Sequence, residues 1–180
     1  VGWGDAYVNL HKHDWGVDVG QFQNPWDIAY RGIAYANMVL DNTKEDEVQT
    51  QCQARFFRAL FYYHLLDMFG NAPLQTTQKV EDGYLPEQVG TDKLFDFCVQ
   101  EFTYVKDNIG DSNTFGWANK AAAQMALAKL YLNKNVYLGT TGNDGYEAAL
   151  AEVEDIIKSG KYSLATNYKD NFKENIDDCS

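Results

Sequence analysis

The sequence predicts an all-α protein, a stack of antiparallel helix pairs joined by irregular loops. Three observations predict it. Apolar residues recur at helical rather than alternating spacing in five stretches. Proline and glycine punctuate the starts and ends of those stretches. One of them, ARFFRALFYYHLLDMFGNAPL at residues 54–74, carries apolar and aromatic side chains on every face of a 3.6-residue helix, so neighbours must cover it on most sides. With 180 residues, 45% of them hydrophobic and 14% aromatic, the chain is large enough for one domain with its own core.

Residues 1–23 set Trp3, Tyr7, Trp15 and Phe22 among four glycines without a sustained period, and read as an aromatic-rich loop region. The helical stack is expected over residues 24–172, in a single domain covering residues 1–180. Asn24, Pro25 and Asp27 supply an N-cap, a first-position proline and an acidic first turn. Trp26, Tyr30, Ile33 and Asn37 then share a face, which makes Asn37 a polar group on an apolar stripe that must be hydrogen-bonded if buried. Thr43 with Asp46 has the spacing of a capping box for the next helix.

That helix contains residues 54–69 and ends at Gly70, suited to a left-handed conformation, with Pro73 just beyond. Arg55 and Arg58 share a side. Arg58 lies inside the apolar run and needs a carboxylate or loop carbonyls as partner, because an unpaired buried guanidinium is costly. His64 is expected to be a hydrogen-bonded core residue.

Residues 75–90 are polar and extended. A third helix over residues 91–109 presents Leu94, Phe95, Cys98, Phe102 and Val105 on one stripe, and Gly110 ends it. A fourth, over residues 119–133, carries small residues at Ala121, Ala122, Ala123, Ala126 and Ala128 that let another helix approach closely. Residues 135–143 read as a loop. Asp144 and Glu147 open a fifth helix whose Ala148, Ala149, Val153, Ile156 and Ile157 face inward. The tail, with Tyr162, Leu164, Tyr168 and Phe172, is expected to strap across the helices.

Ala54 and Ala121 open comparable motifs 67 residues apart, close to twice the roughly 34-residue tetratricopeptide period. A tetratricopeptide-like stack follows, in which each helix pair leaves an apolar face for the next to bury.

A net charge of −11 without a basic stripe argues against a nucleic-acid surface and equally disfavours an anionic membrane face. Neutral ligands such as sugars, or a protein partner, fit that charge. No apolar run reaches the roughly 18 to 20 residues of a membrane span. The chain opens on Val1 rather than Met and is expected to be a piece of a longer protein. Cys52, Cys98 and Cys179 lack zinc spacing, and the first two are expected as buried thiols. The segment GTTGNDG at residues 139–145 fits neither a phosphate loop nor a calcium loop. Neither G-x-S-x-G nor H-E-x-x-H occurs, so no enzyme activity and no cofactor are expected.

Four stretches together resemble the SusD-like (RagB/SusD) family of outer-membrane, glycan-binding surface lipoproteins. Trp26, Tyr30, Ile33 and Asn37 resemble its W-x3-Y-x2-I-x3-N helix. ARFFRALFYYHLLDMFGNAPL resembles its signature segment, NKAAAQMALAKLYLN its Ala-rich helix, and YEAALAEVEDIIKSGKYSL the helix ending in S-G-x-Y-x-L. The order and separations match over residues 26–172, and the chain resembles the N-terminal tetratricopeptide-like portion of such proteins. Gln53 departs from the acidic residue many relatives carry there, which bears on one local ion pair.

The resemblance implies a cell-surface protein that captures oligosaccharide or starch-like polysaccharide and delivers it to a SusC-like TonB-dependent outer-membrane transporter. It implies contact with the membrane only through a lipid anchor outside this chain, and no chemistry on the substrate. The alternative is a tetratricopeptide-like module that docks protein and has no sugar site of its own.

Sugar recognition needs flat apolar faces for the C–H side of a ring and polar groups for its hydroxyls. The opening loop supplies both. Trp3 and Trp15 are the stacking candidates, with Asp5, Asn9 and Asp14 as hydrogen-bonding partners. The resemblance implies a glycan platform in this region. Packing onto the helices is the competing role for each tryptophan, and Trp26 and Trp117 are expected to be structural. His11, His13 and Asp14 are too few donors for a metal site, so no metal is expected and the imidazoles are read as exposed or glycan-contacting.

Overall fold

The computed structural model describes residues 4–16, 19–110, 114 and 116–172. Helix α1 (Asp5–His11) precedes α2 (Gly20–Asn42) and α3 (Val48–Phe69). A two-stranded antiparallel pairing follows, of β1 (Ala72–Pro73) with β2 (Gln88–Val89). Then come α4 (Thr91–Asn108), α5 (Lys120–Leu132), α6 (Lys134–Leu138) and α7 (Asp144–Lys158), and a 3-10 turn at Tyr168–Phe172.

Successive long helices pack on one another, α2 on α3, α3 on α4, α4 on α5 and α5 on α7. Contacts between opposite ends make each pair antiparallel. Trp26 near the start of α2 meets Phe69 at the end of α3. Gln49 at the start of α3 donates to the Asn108 carbonyl at the end of α4 and accepts from Gly110 N–H. Phe95 early in α4 stacks on Tyr131 late in α5, and Lys134 just past α5 pairs with Asp144 at the start of α7. The fold is the all-α stack of helix pairs that the sequence predicts.

Helix α3 is central, flanked by α2 and α4, with Cys52, Ala59, Tyr62 and Leu65 fully buried. Each large apolar side chain so removed from water contributes roughly 1.5 to 3 kcal/mol. Burial is not all-round, however. Phe57 is 39% and Met68 49% exposed, and His64 is exposed beside Tyr63 rather than a core residue. Two flanking helices cover two sides of a cylinder, and these residues occupy the side left over. Gly70 has positive φ (76°) with ψ of −78°, and Asn71 N–H donates to the Phe69 carbonyl, closing a three-residue turn rather than a left-handed cap.

The polar interior follows the expectation closely. Arg58 takes both predicted kinds of partner, the Glu101 carboxylate and the Thr76 carbonyl. Asn37 donates to the Gln75 carbonyl and accepts from Arg58. Cys52 and Cys98 are free, buried thiols, and burial pushes the Cys98 thiol well above its ordinary range. Gln53 explains its own departure from an acid: its amide donates to the Ala118 carbonyl and accepts from Ala118 N–H, and a carboxylate can do only the second.

Several local expectations are corrected. Residues 5–11 form α1 instead of loop, and α2 begins at Gly20, four residues before Asn24, so Pro25 sits inside the helix. The Asn24-Pro25 pair looks like a start because it suits one, but the helix runs through it. Thr43 closes α2 rather than opening α3, its hydroxyl donating to the Val39 carbonyl. Glu47 folds back onto Lys44 N–H. Residues 134–138 add a short helix within the expected loop. Ile157 is 69% exposed, and Leu164, Tyr168 and Phe172 are 98%, 78% and 69% exposed, so the tail does not lie across the stack as a packed strap. Trp117 is 60% exposed instead of structural.

Candidate functional site

Helix α1 ends in a tight turn at residues 12–14. Lys12 N–H donates to Val8, His13 N–H to Leu10, and Asp14 N–H to the Asn9 carbonyl at 2.9 Å. His13 takes a left-handed φ of 58°, a conformation unfavourable for a residue with a side chain. The turn sets Trp15 against the first turn of α2. Its ring centroid lies 5.2 Å from His13 and 5.7 Å, edge-on, from Phe22, while 45% of the residue remains exposed.

Beyond Phe22 lies a shallow groove of about 390 Å³ lined by Phe22, Gln23, Trp26, Asp27 and Phe69. Phe22 and Trp26 are one helical turn apart on α2, so both face the same way. Trp26 meets Phe69 at 5.1 Å, perpendicular, and Tyr30 at 4.9 Å, which holds its ring in place while it remains part of the groove. The site therefore offers a held tryptophan with an amide and a carboxylate in the same groove, and a half-exposed tryptophan against its Phe22 edge.

The sequence candidates divide unevenly. Trp3 lies outside the described residues. Asp5 and Asn9 are exposed on α1, one turn apart, and Asp14 is exposed with its backbone tied to Asn9. Trp15 does not line the groove and meets it only through the Phe22 ring. Gln23, Asp27 and Phe69 are absent from the sequence-based set, and Trp26 appears there only as structural. Starting α2 at residue 24 hides the Phe22–Trp26 spacing, and Phe69 arrives from another helix at long range. His11 and His13 are exposed, and among the described residues no three acidic, histidine or cysteine side chains come together as metal ligands.

A second groove, of about 560 Å³, lies in the loop between β1 and β2. Its inner wall is formed by residues 74–77 and Lys79, part of a segment (residues 73–79) clamped by side chains. Tyr30 donates to the Pro73 carbonyl (2.7 Å), and Tyr62 Oη both accepts from Gln75 N–H and donates to its carbonyl. Asp41 accepts from the Thr77 hydroxyl and from Gln78 N–H (2.6 Å), and Lys79 Nζ donates to the Asp41 carbonyl. Burial works to raise the Asp41 pKa. The Gln78 and Thr77 hydrogen bonds and the Lys79 charge outweigh it and hold the carboxyl below its ordinary range.

The SusD-like family model described as starch-binding and associating with the outer membrane matches residues 2–132. The starch-binding protein SusD of Bacteroides thetaiotaomicron is 32% identical over 152 residues, which cover 81% of this chain and 26% of that protein. A SusD-like protein of Bacteroides ovatus is 28% identical over 163 residues, 82% of this chain and 29% of that one. A crystal structure described as holding a xylogluco-oligosaccharide superposes with a TM-score of 0.84 at 25% identity, covering 96% of this chain and 36% of that chain. The chain thus spans between a quarter and a third of the length of these curated relatives.

Proposed function

This chain belongs to the SusD-like family, and on that premise we propose that it is part of a glycan-capturing protein of the cell surface. In this reading it takes up oligosaccharide or starch-like polysaccharide and delivers it to a SusC-like TonB-dependent transporter. The protein is held at the outer membrane by a lipid anchor outside these residues and does no chemistry on what it binds.

One observation carries the reading. Trp15 stands half exposed beside a groove that Phe22, Trp26 and Phe69 line and that Gln23 and Asp27 edge with polar groups. Flat rings suit the C–H faces of a sugar, and an amide and a carboxylate suit its hydroxyls. In this reading Asp5 and Asn9 on α1 and Asp14 on the turn leading into Trp15 are further hydrogen-bonding candidates, with Trp3 as the further stacking candidate. The acidic surface is compatible with a neutral ligand and not with nucleic acid.

The test is calorimetric titration of the full-length protein with neutral malto-, xylogluco- and laminari-oligosaccharides, beside Trp15→Ala and Trp26→Phe. Saturable binding to one series, weakened about tenfold by Trp15→Ala, is expected. Binding by none, or binding indifferent to both substitutions, rules the groove out.

A second reading, a module that docks the transporter without a sugar site of its own, has one observation behind it. An apolar groove of about 460 Å³ opens on the outer side of α5 and α7, where Met125, Leu132, Tyr146 and Leu150 are 44–58% exposed. Co-purification of the transporter with no saccharide response favours that reading.

A further inference from the structure

The loop between β1 and β2 is built like a binding groove, and nothing in the proposed site uses it. Its base is closed by the β1–β2 pairing and by Leu74 N–H donating to the Glu87 carbonyl at 3.2 Å. Its inner wall is immobilised by Tyr62, Arg58, Asn37 and Asp41, so its shape is set before any ligand arrives. Its outer wall is a tight turn, in which Tyr84 N–H donates to the Glu81 carbonyl at 3.0 Å and Gly83 takes a φ of +83°.

The chemistry of that outer wall is unspent. The side chains of Glu81, Asp82 and Tyr84 make no hydrogen bond or ion pair among the described residues, and Tyr84 is 51% exposed. Lys79, the one cation of the lining, is held by the Asp41 carbonyl. Two free carboxylates repel an anion. No third ligating side chain joins them to make a metal site among the described residues. One exposed ring beside two acceptors, in a groove of about 560 Å³, matches a neutral, hydroxyl-rich ligand with one apolar face.

We propose that this groove is a second saccharide contact, where Tyr84 stacks on a sugar ring and Glu81 and Asp82 accept from its hydroxyls. The inference rests on the glycan-capture reading for the class of ligand, but on different residues. Trp26 in the first groove and Asp41 behind the second are fifteen residues apart on α2, about 22 Å along its axis. A long saccharide can engage both grooves and a short one cannot.

Hydrogen-exchange mass spectrometry on the full-length protein, with a longer and a shorter member of a neutral oligosaccharide series, tests this. Protection at residues 75–87 and at residues 12–27 with the longer sugar is expected. Tyr84→Phe should keep the first protection. Tyr84→Ala and Glu81→Gln/Asp82→Asn should lose it and bind the longer sugar roughly three- to tenfold more weakly, the size of one aromatic contact, with the shorter sugar unaffected. Protection confined to residues 12–27, with both variants binding as wild type, overturns the inference and leaves the proposed function standing. Protection confined to residues 75–87 supports the inference and removes the Trp15 groove. Protection at neither overturns both, and protection of residues 75–87 by calcium alone makes the loop a cation site and overturns the inference.

Discussion

Arg58 and Glu101 face each other inside the stack, with Nη2 2.6 Å from Oε2 and each side chain 6% exposed. The guanidinium also donates through Nε to the same oxygen and through Nη1 to Asn37 Oδ1 and the Thr76 carbonyl. Glu101 receives a second guanidinium, Arg55, at 2.5 Å, itself lying 4.2 Å over the Tyr104 ring and 30% exposed. Removing one member of a buried pair leaves an uncompensated charge, whereas an outer partner is partly replaced by water. Arg58→Ala is therefore expected to cost about 3 to 5 kcal/mol and Arg55→Ala about 1 kcal/mol or less. Urea unfolding of the two variants measures this, and equal losses would contradict the assignment of Arg58 as the inner partner.

The contact between α2 and α3 depends on an absent side chain. A Cβ built at Gly32 would lie 2.1 Å from the Phe61 ring. Overpacking of this kind costs about 1 to 3 kcal/mol, against a gain of up to about 1 kcal/mol from alanine's better helix propensity. Gly32→Ala should destabilise the wild-type protein. In a Phe61→Ala background the clash is gone and the same substitution should stabilise. A thermal-melt double-mutant cycle reads the change of sign, and its absence would show that α2 and α3 can separate without loss.

How far the sequence reveals this molecule depends on the range of the interaction. The helices with continuous stripes, α4 and α5, are read to within a residue or two, because periodicity and caps such as Asn119 are local signals. Arg58 and Asn37 are legible as needing partners, since a charged or amide group on an apolar stripe has few alternatives. Their shared use of the segment at residues 75–76 is not legible, because it joins three elements far apart in the chain. The start of α2 is misread for the opposite reason. Asn24-Pro25 is a strong local start signal, yet the helix already runs from Gly20 and carries Phe22 against Trp15. The groove at Trp26 is half visible: Trp26 and the neighbouring Trp15 stand out by residue type, and Phe69 joins the groove only in the fold.

Asp41 gives the loop a pH dependence. Its carboxylate accepts from Gln78 N–H and the Thr77 hydroxyl, and its pKa in the folded protein is lowered. A lowered pKa means that the folded state binds a proton less readily than the unfolded chain. The contribution is thus fully present above the ordinary Asp range near about 4 and lost as pH falls through the lowered folded value. Asp41→Asn should be less stable than wild type at neutral pH, with the gap closing below about pH 4. Melting curves for both proteins across that range check it, and a gap independent of pH would mean that the carboxylate charge contributes nothing.

Tyr62 is the hydroxyl on which the clamped segment hangs. Its ring is fully buried, and its oxygen both accepts from Gln75 N–H at 2.7 Å and donates to the Gln75 carbonyl at 2.9 Å. Phenylalanine fills the same space but removes both bonds, so that the Gln75 carbonyl keeps only Asn37 and the Gln75 N–H loses its partner. Tyr62→Phe should cost about 1 to 3 kcal/mol and speed exchange of the Gln75 amide beyond what that global loss explains. Burial also pushes the phenol up to about 12, against the opposing Gln75 hydrogen bond and Arg58 charge. A raised pKa means that the folded state keeps its proton longer than the unfolded chain. Wild type should therefore lose stability as pH climbs from about 10 through that value, and Tyr62→Phe should lose correspondingly less. A Gln75 amide no faster than the other amides of the segment, or parallel alkaline unfolding curves, would show that residues 73–79 are held without this hydroxyl.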